Sequence, residues 1–156
     1  VAEEREKVLE VKVIVDANII FSAILNSNGK IGDILLNSGS KVTFIAPEYL
    51  RTEISKHHSK LEKISGLSAN DIKESEFQIY RNIDFISEYS IKQSFWESAK
   101  KLVSDIDPKD IPYVAFAKQF RCKIWSGDKA LMKGLAKKGS RIFITTEDLF
   151  TKLNKK

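Results

Sequence analysis

A single cysteine, Cys122, leaves no intrachain disulfide framework and suits a reducing compartment. Its neighbours Arg121 and Lys123 would lower a thiol pKa, but a buried, incidental thiol is the more ordinary reading. The two histidines are adjacent, His57 and His58, and neither they nor Cys122 form a zinc spacing. No apolar run approaches the ~18 residues of a membrane span. The opening residues Val1-Ala2-Glu3-Glu4-Arg5-Glu6-Lys7 lack a signal-peptide core. The expectation is a cytoplasmic protein with no membrane partner. Repeats, low-complexity tracts and interdomain linkers are also missing.

What remains is an ordinary globular composition, with 42% apolar and 30% charged residues. A chain of 156 residues fits one domain with a core of its own. The expected division is a charged extension over 1–10 and one domain over 11–153. The net charge of +5 is compatible with a polyanionic partner but does not demand one. Distribution says more. Lys129, Lys133, Lys137, Lys138 and Arg141 follow Asp128, and Arg51, Lys56, His57, His58 and Lys60 surround Glu53. Either group could equally be a solvated lysine-rich face.

Apolar, β-branched runs predict strands at about 11–16, 41–45, 123–126 and 142–145, with a short one at 83–86. Helical spacing fills the intervals. Helices are expected through Ile19–Leu25, over 30–37, from Pro47 through Leu61, and from Ser68 through Tyr80. Further helices are expected through Ile91–Val103, from Pro108, over 129–138 and from Thr146. Alternating helices and strands predict an α/β fold with a doubly wound, mostly parallel sheet flanked by helices.

Four acids fall where that fold would gather them. Asp16 closes the first strand and Asp128 follows the strand ending at Trp125-Ser126, so both lie at carboxyl ends, where open parallel sheets bind ligands. Asp110 opens a helix running antiparallel to the next strand, which returns it to the same edge. Glu53, read as six residues into a helix from Pro47, lies roughly 9 Å down its axis, and its side chain leans back toward the helix start. Each acid also has a plain alternative. Asp128 is a good N-cap, and Asp107-Pro108-Lys109-Asp110 reads as N-cap, N1 proline and acidic first turn. Asp16 could form an Asx-turn and Glu53 could be a surface residue. Capping alone gives no reason for four acids to share one edge. Carboxylates held together repel, and a divalent cation with oxygen ligands relieves the repulsion.

The segments Val13-Ile14-Val15-Asp16-Ala17-Asn18, Glu53, Asp110-Ile111-Pro112-Tyr113-Val114-Ala115-Phe116-Ala117 and Trp125-Ser126-Gly127-Asp128-Lys129-Ala130-Leu131 resemble, in order, the PIN domain family. The resemblance runs from about Val11 to Phe150. It implies a metal-dependent endoribonuclease acting on single-stranded RNA. Many such domains are VapC-type toxins, which implies a cognate antitoxin as a partner; homodimers are common, and the apolar helices before residue 104 could support one. By position, Asp16, Glu53, Asp110 and Asp128 would be the acidic quartet around one or two Mg²⁺ or Mn²⁺ ions. Asp107 matches an additional acid of a subset of the family, holding a second ion or only capping its helix. Asn18 and Ser126 match accessory polar positions. The Asp-Pro-Lys-Asp and Trp-Ser-Gly-Asp forms are closer to that subset than to the shortest toxins.

Hard oxygen donors select Mg²⁺ or Mn²⁺ over Zn²⁺. The family implies hydrolysis to a 5′-phosphate, with Glu53 and Asp128 as second-ion or water-positioning groups. Lys129, Lys133 and Arg51 are candidate phosphate contacts. Trp125 is a core residue or a base-stacking one. Phosphatases of the haloacid dehalogenase type also place an aspartate after a first strand, but need a second one two residues on, where this chain has Asn18. A non-catalytic PIN-like module binding RNA or protein is the remaining alternative; its degenerate members should lose acids that this chain keeps.

Overall fold

The computed structural model describes residues 11–154, so the expected extension over 1–10 lies outside the described residues. The five expected strands form as β1 (Val11–Val15), β2 (Val42–Pro47), β3 (Ile83–Ile86), β4 (Lys123–Trp125) and β5 (Phe143–Ile144). All pair in parallel, in the order β3-β2-β1-β4-β5. Central β1 sets Val13 opposite Phe44 on one side and Lys123 on the other. Burial on both faces explains its unbroken apolar run, since Val13, Ile14 and Val15 are at most 1% exposed.

After β1 come α1 (Ala17–Leu25) and α2 (Lys30–Asn37), and after β2 come α3 (Leu50–Ser55), α4 (His58–Ser65) and α5 (Ala69–Tyr80). The return across the sheet uses α6 (Gln93–Val103) and α7 (Ile111–Phe120); α8 (Lys129–Lys137) and α9 (Thr146–Leu153) complete the chain. Two groups of helices enclose the sheet. In one, α1 packs with α2, α3 and α5, while α9 joins α2. In the other, α6 covers α7, which itself crosses β1, β2 and β4. Lying between the sheet and α6, α7 is buried through its centre, where Tyr113 through Ala117 are buried without interruption. Among the described residues no single helix is long and apolar enough to cross a membrane.

Three local expectations change. Pro47 does not begin a helix but closes β2, opposite Ile86. The pairing of β1 with β2 ends at Ile14 and Ile45, so the missing proline N–H costs no ladder bond on that side. The expected helix from Pro47 through Leu61 is therefore shorter and divided, with His57 between α3 and α4. Finally, Pro108–Asp110 is a separate 3₁₀ turn, and α7 starts at Ile111.

Candidate active site

The strand order reverses at β1. The chain moves outward through β2 and β3, then returns to place β4 on the other flank. Neighbouring crossovers consequently diverge and leave a crevice beyond the carboxyl ends of β1 and β4. It has a volume of about 520 Å³, and Asp16, Glu53, Asp107, Asp110 and Asp128 all line it.

The capping alternatives hold together with this convergence. Asp16 caps α1, its Oδ1 accepting from the Ile19 N–H at 3.0 Å. Asp128 caps α8 in the same way through the Leu131 N–H at 3.0 Å. Asp107 caps the 3₁₀ turn by accepting from the Lys109 N–H at 3.0 Å. Asp110 occupies the N-cap position of α7 but makes no capping bond with its side chain. A carboxylate has two oxygens, so capping with one leaves the other available.

Ser126 links the two strand-end acids. It is 1% exposed; its hydroxyl bonds the Asp16 carboxylate, and its oxygen accepts from the Asp128 N–H at 2.9 Å. Asn18 lines the crevice beside Asp16 and donates its backbone N–H to that carboxylate. Burial raises the Asp16 pKa most; the bonds from Ser126 and Ile19 oppose this, and the charge of Asp128 adds to it. Asp110 has less help. Burial, then the charges of Asp107, Asp128 and Asp16, push its pKa up to about 7. Its Oδ2 is buried and has no hydrogen-bond partner.

Glu53 stands in the first turn of α3, closer to the sheet edge than a helix begun at Pro47 would put it. It lines the crevice but turns toward Lys56, 3.3 Å away. Among the described residues, no three histidine, cysteine, aspartate or glutamate side chains are drawn into a metal-binding group. The crevice does suit a hard divalent cation in donor type and charge. Five carboxylates line it against one lysine and one histidine, and one buried carboxylate oxygen, Asp110 Oδ2, lacks any donor.

Several lining residues were not singled out from the sequence. Tyr113 accepts from the Ala17 N–H at 3.3 Å and meets the Tyr49 hydroxyl, which ties α7 to the turn carrying Asp16. Burial raises the pKa of both tyrosines, so their hydroxyls stay protonated. Tyr113 lies three residues after Asp110, a helical spacing that shares a face and could have revealed it. Phe21 and His57 form an edge-to-face pair at 5.6 Å on another wall. Lys109 is the lysine that lines the crevice, whereas Lys129 and Lys133 are exposed on α8 outside its lining. Arg51 does not reach the crevice either; its guanidinium lies 4.4 Å from the Phe85 ring centroid. Trp125 is fully buried and donates to Thr146 Oγ1 at 3.0 Å, which makes it a core residue. Burial lifts the Cys122 thiol to about 11, so it is neutral and unreactive at ordinary pH.

A doubly wound parallel sheet with an acidic crevice at its switch point defines an α/β protein of the kind that handles its ligand at strand ends. The profile of the PIN domain family matches residues 14–153, and the chain belongs to that family. PIN domains are generally nuclease modules, and such nucleases generally use divalent metals. No curated protein matches the chain.

Proposed function

We propose that the chain is a divalent-metal-dependent endoribonuclease that hydrolyses phosphodiesters of single-stranded RNA in the acidic crevice. The observation that carries this reading is the meeting of Asp16, Glu53, Asp107, Asp110 and Asp128 on one crevice, with Asp110 Oδ2 buried and unpartnered. A fold that only needed helix caps would not hold an uncapping, charge-repelled carboxylate there, because the desolvation and repulsion both disfavour it.

Asp16 and Asp110, the most buried acids, would be the principal ligands of Mg²⁺ or Mn²⁺, with Asp128 beside them. An ion held there supplies charge neutralisation and Lewis acidity for in-line attack of water on phosphorus. Ser126 and the Ile19 N–H fix the Asp16 carboxylate, so little reorganisation is needed at the moment of reaction. Tyr113 holds the adjoining turn through Ala17. Glu53 would leave Lys56 and turn inward to orient water or a second ion. Asp107 serves mainly as the cap of its turn. Lys109 is placed to meet a phosphate flanking the scissile one.

The test is cleavage of end-labelled RNA in Mn²⁺ and in EDTA, with single-stranded and duplex forms of one sequence. Metal-dependent cutting confined to the single strand supports the proposal. Absence of cutting, with intact binding of RNA, would favour a non-catalytic module. Service as the toxin of a toxin–antitoxin pair is a narrower form of the same activity, and co-purification with a small protein encoded next to it would support that form.

A further inference from the structure

A second groove, of about 360 Å³, lies across α3 from the acidic crevice and is lined by Arg51, Lys73, Glu76, Phe77, Tyr80 and Arg81. Leu50 faces the crevice and the next residue, Arg51, faces this groove, so one short helix separates the two. Lys73, Phe77 and Arg81 recur every fourth position along α5 and its cap, which spaces cation, ring and cation at ~6 Å intervals.

The charge of this groove is not balanced. Glu76 is engaged by His58 at 2.5 Å, and Arg51 has a loose contact with Glu48 at 3.6 Å. Among the described residues, Lys73 and Arg81 form no ion pair. The guanidiniums are held over rings instead. Arg51 lies 5.7 Å from the Tyr80 centroid and Arg81 lies 5.8 Å from that of Phe77. Arg81 also donates one N–H to Gln78 Oε1 at 3.4 Å, and a guanidinium with five N–H groups keeps others for an anion. Phe77 remains 58% exposed although it is a large apolar side chain in the middle of a helix. Tyr80 has a buried hydroxyl with no hydrogen-bond partner.

We propose that this groove binds single-stranded RNA outside the acidic crevice, with Lys73, Arg81 and Arg51 on phosphates and a base stacked on Phe77. Alternation of cations with an exposed ring suits a strand that presents phosphates and base faces in turn. An acidic peptide would use the cations and leave Phe77 without a reason to be exposed. The choice of RNA rests on the function proposed above. The groove would anchor a strand whose neighbouring phosphodiester enters the crevice over α3.

The test is binding of a fluorescent single-stranded oligoribonucleotide to the full chain in EDTA, where no cleavage occurs. Lys73→Gln with Arg81→Gln should weaken binding about tenfold and reduce the slope of log affinity against log salt by about 1.4. Lys63→Gln with Lys101→Gln, an equal charge change at exposed positions elsewhere, should change affinity less than twofold. Phe77→Ala, at an exposed site that threatens no core packing, should weaken binding about tenfold without changing the salt slope. Equal weakening by the two charge pairs, no effect of Phe77→Ala, or no RNA binding by the wild type would overturn the proposal. So would displacement by a glutamate-rich peptide that the Phe77→Ala variant binds normally while RNA binding is unaffected by every groove variant. A wild type that does not cut RNA in Mn²⁺ but shows these binding effects would refute the crevice reading and leave the groove standing.

Discussion

Asp110→Asn should stabilise the metal-free protein at neutral pH, although it alters a buried residue. Asp110 is 9% exposed, lacks a partner for Oδ2 and has its pKa raised from 3.8 to about 7. The folded state therefore holds a proton that the unfolded chain has released. The stability tied to that proton is fully present below about pH 4 and is lost as pH rises through about 7. The full shift is worth roughly 4 kcal/mol, and solvent reaching the crevice cuts this to ~2 kcal/mol. The asparagine amide keeps the size and brings donors toward Asp16, Asp107 and Asp128, so no comparable penalty replaces it. For a chain of this length the variant should melt ~4–8 °C above wild type at pH 7.5 in EDTA. The difference should shrink toward zero near pH 4. Calorimetry of both proteins from pH 4 to 8 measures this directly. A variant less stable than wild type at pH 7.5, or a gap that does not vary with pH, would refute the electrostatic account of the crevice.

Other outcomes follow from the same geometry. Mg²⁺ or Mn²⁺ at millimolar concentration should raise the wild-type melting temperature over that in EDTA, because an ion that binds only the folded state stabilises it; equal midpoints would show that the crevice holds no such ion. Asp107→Asn should be nearly neutral in urea unfolding, whereas Asp107→Ala should cost ~1 kcal/mol through loss of the bond to Lys109; if both retain full stability, the cap is not significant. Thr146→Val should cost ~1–3 kcal/mol, because it leaves the Trp125 N–H buried without an acceptor; an unchanged urea midpoint would show that this bond does not hold β4 to α9.

The architecture was legible because strand and helix periods alternate along the chain and central parallel strands carry unbroken apolar runs. The expected helix over 30–37 coincides with α2, and the short strand at 83–86 with β3. Asp16 and Asp128 could be placed because each follows such a run directly. Glu53 lies earlier in its helix than the sequence implies, because a proline near a strand end resembles a helix start. Only the register shows that Pro47 still pairs with β3 after β1 has ended. Arg51 is near Glu53 in sequence, but residues two apart on a helix point to different sides, and the two line different grooves. The link from Tyr113 to Ala17 joins residues far apart in the chain, and nothing in either segment alone announces it.

The most direct test of the central claim is RNA cleavage by wild type and Asp16→Asn, purified together and matched by circular dichroism. Asp16 is 6% exposed at the end of the central strand, held by Ser126 and the Ile19 N–H. Asparagine retains its size and its capping bond while removing the charge. In Mn²⁺ the wild type should cut single-stranded RNA, and the folded variant should lose at least about a hundredfold in rate. Cleavage by Asp16→Asn at the wild-type rate, or undiminished wild-type cleavage in EDTA, would contradict the account.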